Sequence, residues 1–399
     1  MDRIRRLRNP IQNYVWGSRT AIADFLGRPS PASEPEAELW MGAHPAAPSE
    51  VERNGAWVKL PERIAADPEA ALGSDLVAWH GPDLPFLFKV LAPEHALSIQ
   101  THPNAEQAHR GFERENAAGR ALDDPARNYR DPHPKPELIV ALTRFDALCG
   151  FRPVQEVAAG FTELALPSLA DAVAALRSRP DAEGLRRFVE DLLTRTPDEQ
   201  RQVAEQASLA TRRARAPEHG WVQELARQYP GDIGVVAPLL LNLITLEAGQ
   251  GLFLAAGELH AYLRGLGVEL MASSDNVLRG GLTPKHVDVP ELLSTLTFRL
   301  AEPEILEAQP VGPGVAVYAT PAREFQLAVL RPHAGAPVEV RAGHGVEILL
   351  ATVDPVQIHE EEVSEPIELE PGAAVFVPAA AAAYRIEGEG VVFRAGVPA

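Results

Sequence analysis

The chain has 399 residues, of which 46% are hydrophobic and 23% are charged. This composition is typical of a globular protein of roughly two to four domains and excludes a disordered or fibrous chain. The formal net charge of −18 argues against a broad binding surface for nucleic acid or an anionic membrane, and we expect neither partner. A few local cations can still bind a small anionic substrate.

Cysteine and hydropathy exclude two further classes of protein. The single cysteine, Cys149, excludes an intramolecular disulfide and a metal site built from several cysteines. The most apolar run, residues 235–246, is interrupted by Pro238 and Asn242 and is too short for a membrane span. An Asn-Pro pair follows the basic first residues where a signal peptide needs an apolar stretch. We therefore expect a cytoplasmic protein.

Short apolar runs before residue 150 are separated by Pro, Gly and Asn, a pattern that predicts strands. The predicted strands span residues 86–91, 96–100 and 138–142, and residues 18–26 and 106–120 are predicted helices.

The pattern becomes helical over residues 154–228. Val157 and Phe161 are spaced by one helical turn, and the same spacing recurs later in the block. Thr196 and Glu199 form a capping box around a proline at the first helical position, so a helix is predicted to begin there. This block is predicted to be an all-α insertion.

Strands are predicted again from residue 235 to the end, with Gly and Pro in the turns. The predicted strands are residues 239–246, 251–254, 267–271, 297–300, 315–318, 325–330, 346–352 and 374–377. Segments on both sides of the helical block are expected to complete one β domain.

An internal repeat indicates two β domains. Residues 246–260 align without gaps to residues 369–383, and each copy has a strand between two turns. The spacing resembles a cupin motif that places a metal-ligating histidine inside a jelly roll. The first copy keeps Gly257 and His260, whereas the second has Ala383 at the histidine position. On this interpretation the C-terminal domain has lost that metal ligand.

Two segments before residue 150 contain candidate metal ligands. Gln100 and His102 lie two residues apart on a predicted strand, so both side chains share one face, and these donors suit a divalent ion such as zinc. Lys135 and Glu137 lie in a proline-rich segment just before an apolar strand, where a buried carboxylate needs a partner such as a metal. For the first segment the alternative is that His102 is a hydrogen-bonded core histidine. For the second the alternative is a proline-stiffened surface loop in which Lys135 and Glu137 are solvated.

Two later segments contain further candidates. His260 occupies the ligand position of the cupin motif, although it can also be a turn histidine. Arg279 and Lys285 lie on a loop shaped by glycines, where a guanidinium and backbone donors suit a phosphate or a developing enediolate oxygen. The alternative is a structural arginine paired with Asp275.

In order and spacing, these four segments together resemble the type I phosphomannose isomerases, a family of zinc-dependent cupin enzymes. The resemblance also includes residues 9–18, 38–45 and 229–234. It implies a mainly β fold with an α insertion: a cupin (jelly-roll) catalytic domain, an inserted all-α domain and a second, degenerate cupin-like C-terminal domain. The implied boundaries are 1–153 and 229–311 for the catalytic domain, 154–228 for the insertion and 312–399 for the C-terminal domain.

The resemblance also implies the roles of individual residues. The implied ligands of one zinc ion per chain are Gln100, His102, Glu137 and His260. Lys135, Asp275, Arg279 and Lys285 are implied to line the sugar site as catalytic residues, and Lys89 and Ser98 are candidates for contact with the phosphate. The role of Glu258 is left open, and the family suggests a monomer.

The implied activity is aldose–ketose isomerisation of mannose 6-phosphate and fructose 6-phosphate by proton transfer between C1 and C2 through an enediol(ate). The base is open among Lys135, Lys285, Asp275 and a zinc-bound water. One alternative is a non-catalytic metal-binding cupin that binds or senses sugar phosphates. Another is an iron-dependent cupin dioxygenase, which the glutamine ligand and the lysines disfavour.

Overall fold

The computed structural model describes residues 2–53, 55–213, 215–361 and 363–398. Over these ranges the chain is mainly β, as predicted, and the longest run of consecutive helices lies between residues 154 and 240. None of the helices in these ranges is both long enough and apolar enough to cross a membrane.

The strands are numbered in chain order. The first fourteen are β1 Arg5–Arg8, β2 Ile11–Gln12, β3 Glu38–Met41, β4 Glu50–Arg53, β5 Ala56–Lys59, β6 Phe86–Leu91, β7 Ile99–Thr101, β8 Glu137–Ala141, β9 Phe145–Phe151, β10 Leu241–Leu246, β11 Gly251–Leu254, β12 His260–Arg264, β13 Gly267–Ala272 and β14 Leu278–Gly281. They are followed by β15 Ile305–Leu306, β16 Gln309–Gly312, β17 Val315–Tyr318, β18 Gln326–Leu330, β19 Val338–Val340, β20 Glu347–Val353, β21 Val356–Glu360, β22 Ile367–Leu369, β23 Ala374–Val377, β24 Tyr384–Gly388 and β25 Val391–Gly396.

The α-helices are α1 Ala21–Phe25, α2 Leu60–Ala66, α3 Pro68–Leu72, α4 Ser74–His80, α5 Ala105–Ala117, α6 Val154–Leu164, α7 Ala170–Ser178, α8 Ala182–Thr194, α9 Pro197–Ala210, α10 Pro217–Gln228, α11 Ala237–Leu240 and α12 Val289–Thr295. Short 3₁₀ turns occupy Pro167–Leu169 and Ile233–Val236. The predicted capping box is present, because the side chains of Thr196 and Glu199 bond each other's backbone N–H at the start of α9.

The strands form stacked sheets, which we name I to IV. Sheet I has the order β10-β9-β12-β7-β14, and sheet II has the order β15-β11-β8-β13-β6-β3-β2. Sheet III has the order β16-β17-β18-β25-β20-β23-β1-β4-β5, and sheet IV has the order β19-β24-β21-β22.

Sheet II is covered on both of its faces. Phe88 and Val140 on one face pack in a cluster with Ile348 of sheet III. Ile139 on the other face packs in a cluster with Ala147 of sheet I. Burial on both faces explains why β6 and β8 are almost continuously apolar, and it makes each charged residue in them conspicuous.

Helices α6 to α10 lie within the segment predicted to be an α insertion. Their buried faces pack in one cluster with residues of sheet I, including Leu148 and Ala261. Val157 and Phe161, the predicted apolar stripe of α6, are both in this cluster. The helices therefore cover the outer face of sheet I and leave its other face directed towards sheet II.

Two predicted strands are wrong in part or in whole. Residues 239 and 240 belong to the short helix α11, and strand β10 begins only at Leu241, because Pro238 sits in the first turn of a helix where its missing N–H costs nothing. Residues 297–300 follow α12 without forming a strand, although their apolar alternation resembles one.

Strands from the start of the chain also join a sheet formed by its end. Strand β1 pairs with β23 on one side and with β4 on the other, so β1, β4 and β5 extend sheet III. The predicted boundaries, with 1–153 inside the catalytic domain, did not anticipate this pairing. The jelly-roll description and the domain boundaries remain predictions.

The two copies of the internal repeat occupy the same position in sheets II and III. In the first copy, Glu137 at the start of β8 pairs with Leu254 of β11. In the second, Glu347 at the start of β20 pairs with Val377 of β23, the residue aligned with Leu254. Glu347 is therefore the counterpart of Glu137.

The surroundings of Glu347 differ from those of a metal ligand. Its carboxylate is 3.3 Å from the guanidinium of Arg394 and accepts a hydrogen bond of 2.6 Å from the Tyr384 hydroxyl. His344 Nδ1 lies 3.4 Å away. A guanidinium and a phenol thus contact this carboxylate, while burial raises its pKa; the loss of a metal site from this part of the chain stays a prediction.

Candidate active site

The predicted site residues meet between the facing surfaces of sheets I and II. On sheet I, Gln100 of β7 lies opposite His260 of β12 and Arg279 of β14, so these three side chains share the inner face. On sheet II, Glu137 and Lys89 lie on the face turned towards them. A cavity with an empty volume of about 420 Å³ lies between the sheets. Its lining includes Ser98, Gln100, Lys135, Glu137, His260 and Glu269.

His102, Glu137 and His260 form a compact group able to hold a metal ion, with one potential ligand atom from each lying within 4.8 Å of the others. His102 Nε2 is 3.2 Å from one carboxylate oxygen of Glu137, and His260 Nε2 is 3.6 Å from the other. All three residues are buried.

The hydrogen bonds of the two histidines direct their Nε2 lone pairs at the carboxylate. His102 Nδ1 donates to the backbone carbonyl of Asn276 at 2.8 Å, and His260 Nδ1 donates to that of Glu258 at 3.0 Å. Since Nδ1 carries the proton in each ring, Nε2 has a free lone pair. Burial and the neighbouring His102 also lower the pKa of His260 to about 4, which keeps this ring neutral.

These contacts fit a metal ion. His102 Nε2 is buried without a hydrogen-bond partner and faces a carboxylate oxygen, which cannot donate to it. Two lone pairs and a carboxylate directed at one point need a cation between them. Gln100, the fourth predicted ligand, lies beside this group and donates to the Ser98 hydroxyl at 3.0 Å, which leaves its amide oxygen available.

Lys135 is also directed at the metal-binding group. Its ammonium is 3.0 Å from the carboxylate of Glu137, and its side chain is 10% exposed. Burial opposes ionisation of Glu137, but the adjacent ammonium of Lys135 holds the pKa of this carboxyl well below its usual range. Glu137 is therefore an anion in the folded protein.

Lys89, predicted to contact phosphate, is buried between two carboxylates. Its ammonium lies 3.3 Å from Glu38 and 3.2 Å from Glu269. Burial opposes the charge, but Glu38 and Glu269 raise the pKa of Lys89 above its usual value. Among the described residues, the carboxylates of Glu38, Glu137 and Glu269 and the ammonium groups of Lys89 and Lys135 thus form one buried charged cluster, in which burial raises the pKa of Glu269 and Lys89 opposes this rise.

Arg279 and Lys285 lie on one side of this group together with Arg130. Within the described residues none of the three forms an ion pair. Burial and the charge of Arg130 lower the pKa of Arg279. Burial, Arg279 and Arg130 lower the pKa of Lys285. Arg130, Arg279 and Lys285 thus bring positive charge together, an arrangement that attracts anions.

Asp275 is not the partner of Arg279 that the structural alternative required. Its carboxylate instead lies 3.4 Å from His44 Nε2, and its side chain is 53% exposed. A hydrogen bond from His44, opposed by burial, lowers the pKa of Asp275, with Lys135 and Arg130 contributing as nearby charges.

Sequence reasoning gave no role to several residues of the site. Glu38 and Trp40 alternate along β3, with the Trp40 indole donating to Glu38, and Glu269 lies in the middle of the apolar strand β13. A carboxylate inside an otherwise apolar strand signals a buried partner and marks Glu269 in the sequence. No such signal marks His44 or Arg130, which become neighbours of Asp275 only in the folded chain.

Comparisons with known proteins identify the family of this chain. Residues 4–154 match the family profile of the phosphomannose isomerase type I catalytic domain. Mannose-6-phosphate isomerase of Escherichia coli strain K12 is 37% identical over 393 residues, which cover 98% of this chain and 99% of that protein.

Solved structures of similar proteins extend the comparison to the whole fold. A zinc-bound mannose 6-phosphate isomerase matches with a TM-score of 0.93 at 34% identity, over 99% of this chain and 100% of that one. The Salmonella typhimurium enzyme, bound to its substrate (f6p) and a zinc atom, matches with a TM-score of 0.92 at 34% identity and the same coverage. The chain therefore belongs to the type I phosphomannose isomerases.

Proposed function

We propose that this protein is a zinc-dependent aldose–ketose isomerase that interconverts mannose 6-phosphate and fructose 6-phosphate. The observation that carries the proposal is the buried group of His102, Glu137 and His260, in which two Nε2 lone pairs are directed at one carboxylate. The zinc and substrate bound to similar structures support the same activity.

Zinc would be held by Gln100, His102, Glu137 and His260, a set of nitrogen and oxygen donors that suits this ion. Once bound, the ion supplies a Lewis acid for the substrate oxygens. Backbone carbonyls fix both histidine rings, and Lys135 helps to keep Glu137 ionised. The protein thus arranges the ligands in advance.

The phosphate group would bind to Arg130, Arg279 and Lys285. These cations have no carboxylate partner within the described residues, so a phosphate dianion would relieve their mutual repulsion. Arg279 lies opposite Gln100 on the neighbouring strand of sheet I, and its position next to a proposed zinc ligand supports this assignment. The roles of Lys89 and Ser98 in phosphate contact remain predictions.

Isomerisation requires a group that moves a proton between C1 and C2 on one face of the open-chain sugar. Asp275 is half exposed, lies 3.4 Å from His44 Nε2 and has a pKa below its usual value, so it is ionised at neutral pH, which suits a base. Lys135 and Lys285 are the other candidates among the side chains. The proposal includes an enediol(ate) pathway, a monomeric state and a cytoplasmic location.

The direct test is a coupled isomerase assay on mannose 6-phosphate, with metal analysis of the same sample. We expect about one zinc per chain, loss of turnover in a chelator and recovery when zinc is restored. Turnover in metal-free protein would contradict the zinc requirement. Zinc binding without turnover would instead support a cupin that only binds or senses sugar phosphates.

Removing one cation from the phosphate site is expected to weaken substrate binding. Replacement of Lys285 by Ala should raise KM for mannose 6-phosphate by about 10-fold, because an ion pair with the phosphate is lost. The kcat should change less, since the phosphate stays bound during the reaction. The matched control is Lys59→Ala, an exposed lysine of sheet III, for which we expect an unchanged KM. An unchanged KM in the Lys285 variant would place the phosphate elsewhere.

A further inference from the structure

His44 lies on the turn after β3 and contacts Asp275, which lies on the loop before β14. The side chain of His44 is only 5% exposed. The backbone N–H of Ala46 donates to its Nδ1 at 3.3 Å, so the proton of the neutral ring is on Nε2. His44 Nε2, which carries this proton, lies 3.4 Å from a carboxylate oxygen of Asp275.

The imidazole of His44 is also fixed by packing. Its ring meets the indole of Trp40 nearly edge-on, with the ring centres 5.0 Å apart at 79°. Trp40 in turn donates to Glu38, which pairs with Lys89 at 3.3 Å. His44 thus packs against an indole that is itself held by a buried carboxylate–ammonium pair of sheet II.

The backbone around Asp275 is fixed independently of His44. The N–H of Asp275 donates to the side chain of Asp131 at 2.8 Å, and the next residue, Asn276, donates from its amide to two carbonyls of the 131–133 segment. The carbonyl of Asn276 accepts the hydrogen bond from His102. What this backbone leaves undetermined is the rotation of the half-exposed Asp275 side chain, and that is where His44 acts.

We propose that His44 is a positioning residue, which holds the carboxylate of Asp275 in the orientation needed to act on the bound sugar. This inference rests on the proposed role of Asp275 in isomerisation. His44 does not reach the metal-binding group, since its contacts are with Trp40, Ala46 and Asp275. A carboxylate free to rotate is misplaced for much of the time, and misplacement of about 1 Å can lower turnover by about 100-fold.

The test compares two substitutions that differ in their ability to donate. His44→Phe keeps an aromatic ring against Trp40 but removes the donor, and we expect kcat to fall by about 10-fold to 100-fold, with KM and zinc content nearly unchanged. His44→Gln keeps an N–H donor close to the position of Nε2, and we expect it to retain activity within about 3-fold of the wild type. The proposal would be overturned if both variants lost kcat by the same factor, or if both kept the kcat of the wild type.

A double-mutant comparison separates the positioning role from a general structural role. Asp275→Asn should lower kcat strongly, and adding His44→Phe should then cost nothing further, because the group that His44 positions is already gone. If His44→Phe lowers kcat in the Asp275→Asn background by the same factor as in the wild type, His44 acts on something other than Asp275 and the inference is overturned.

The outcomes also distinguish failure of this inference from failure of the proposed function. If Asp275→Asn turns over mannose 6-phosphate as fast as the wild type, the proposed role of Asp275 is wrong and the inference fails with it. If Asp275→Asn is impaired while His44→Phe is fully active, Asp275 keeps its role and only the positioning by His44 is wrong.

Discussion

Replacing Glu137 by Gln is expected to weaken zinc binding by more than about 100-fold and to lower isomerase activity by about 1000-fold. The substitution keeps the shape of the side chain but removes the negative charge to which two histidine lone pairs and Lys135 are directed. Metal analysis and the coupled assay, performed on the same preparation, measure the two effects. A Glu137→Gln protein with wild-type zinc content would contradict the ligand assignment.

The internal repeat supplies a matched control for this variant. Glu347→Gln makes the same change at the corresponding position of the second β unit. Because Glu347 is bonded by Arg394 and Tyr384 and not directed at histidine lone pairs, zinc content and kcat should stay at the wild-type level. Loss of zinc from the Glu347 variant would show that the second unit also contributes to metal binding.

Replacing Arg394 by Met is expected to lower the free energy of unfolding by about 3 kcal/mol. The side chain of Glu347 is 5% exposed, and its carboxylate lies 3.3 Å from the guanidinium of Arg394. The substitution removes this guanidinium and leaves the carboxylate buried without the arginine beside it. Denaturant unfolding of the zinc-loaded protein measures the change. Isomerase activity under native conditions should be unaffected, since Arg394 lies in sheet III and the metal-binding group lies between sheets I and II.

A second substitution tests whether the unpaired charge is the cause. In the Glu347→Gln, Arg394→Met double variant, the neutral amide still accepts a hydrogen bond from Tyr384, so most of the lost stability should return. If the double variant is as unstable as Arg394→Met alone, lost packing of the arginine stem is responsible instead.

The local pattern of the sequence was sufficient to predict several elements. Strand β6 was predicted with its observed bounds, and α9 begins where its capping box indicated. Both signals depend on residues adjacent in the chain. The pairing of β1 with β23 was not predicted, because it joins segments about 370 residues apart. A local sequence pattern does not indicate which strands will become neighbours in a sheet.

In the candidate site, too, some features were predicted from the sequence and others arise only from the folding of the chain. His102, Glu137 and His260 were predicted from the resemblance, and the fold brings them together. Glu38 and Lys89 became a buried pair only when β3 and β6 were placed side by side. The Nδ1 bonds of the two histidines come from backbone carbonyls, which every residue carries, so residue types give no indication of them.

The position of β1 has a consequence for how the protein is made. Residues 5 and 6 pair with residues 376 and 375, so β1 has no partner on that side until about 370 further residues have been synthesised. Sheets I and II draw on strands that end at residue 306, and they are complete before β23 emerges. The two sheets on either side of the candidate metal-binding group can therefore pair their strands during translation, whereas sheet III is completed only later, when β23 pairs with β1.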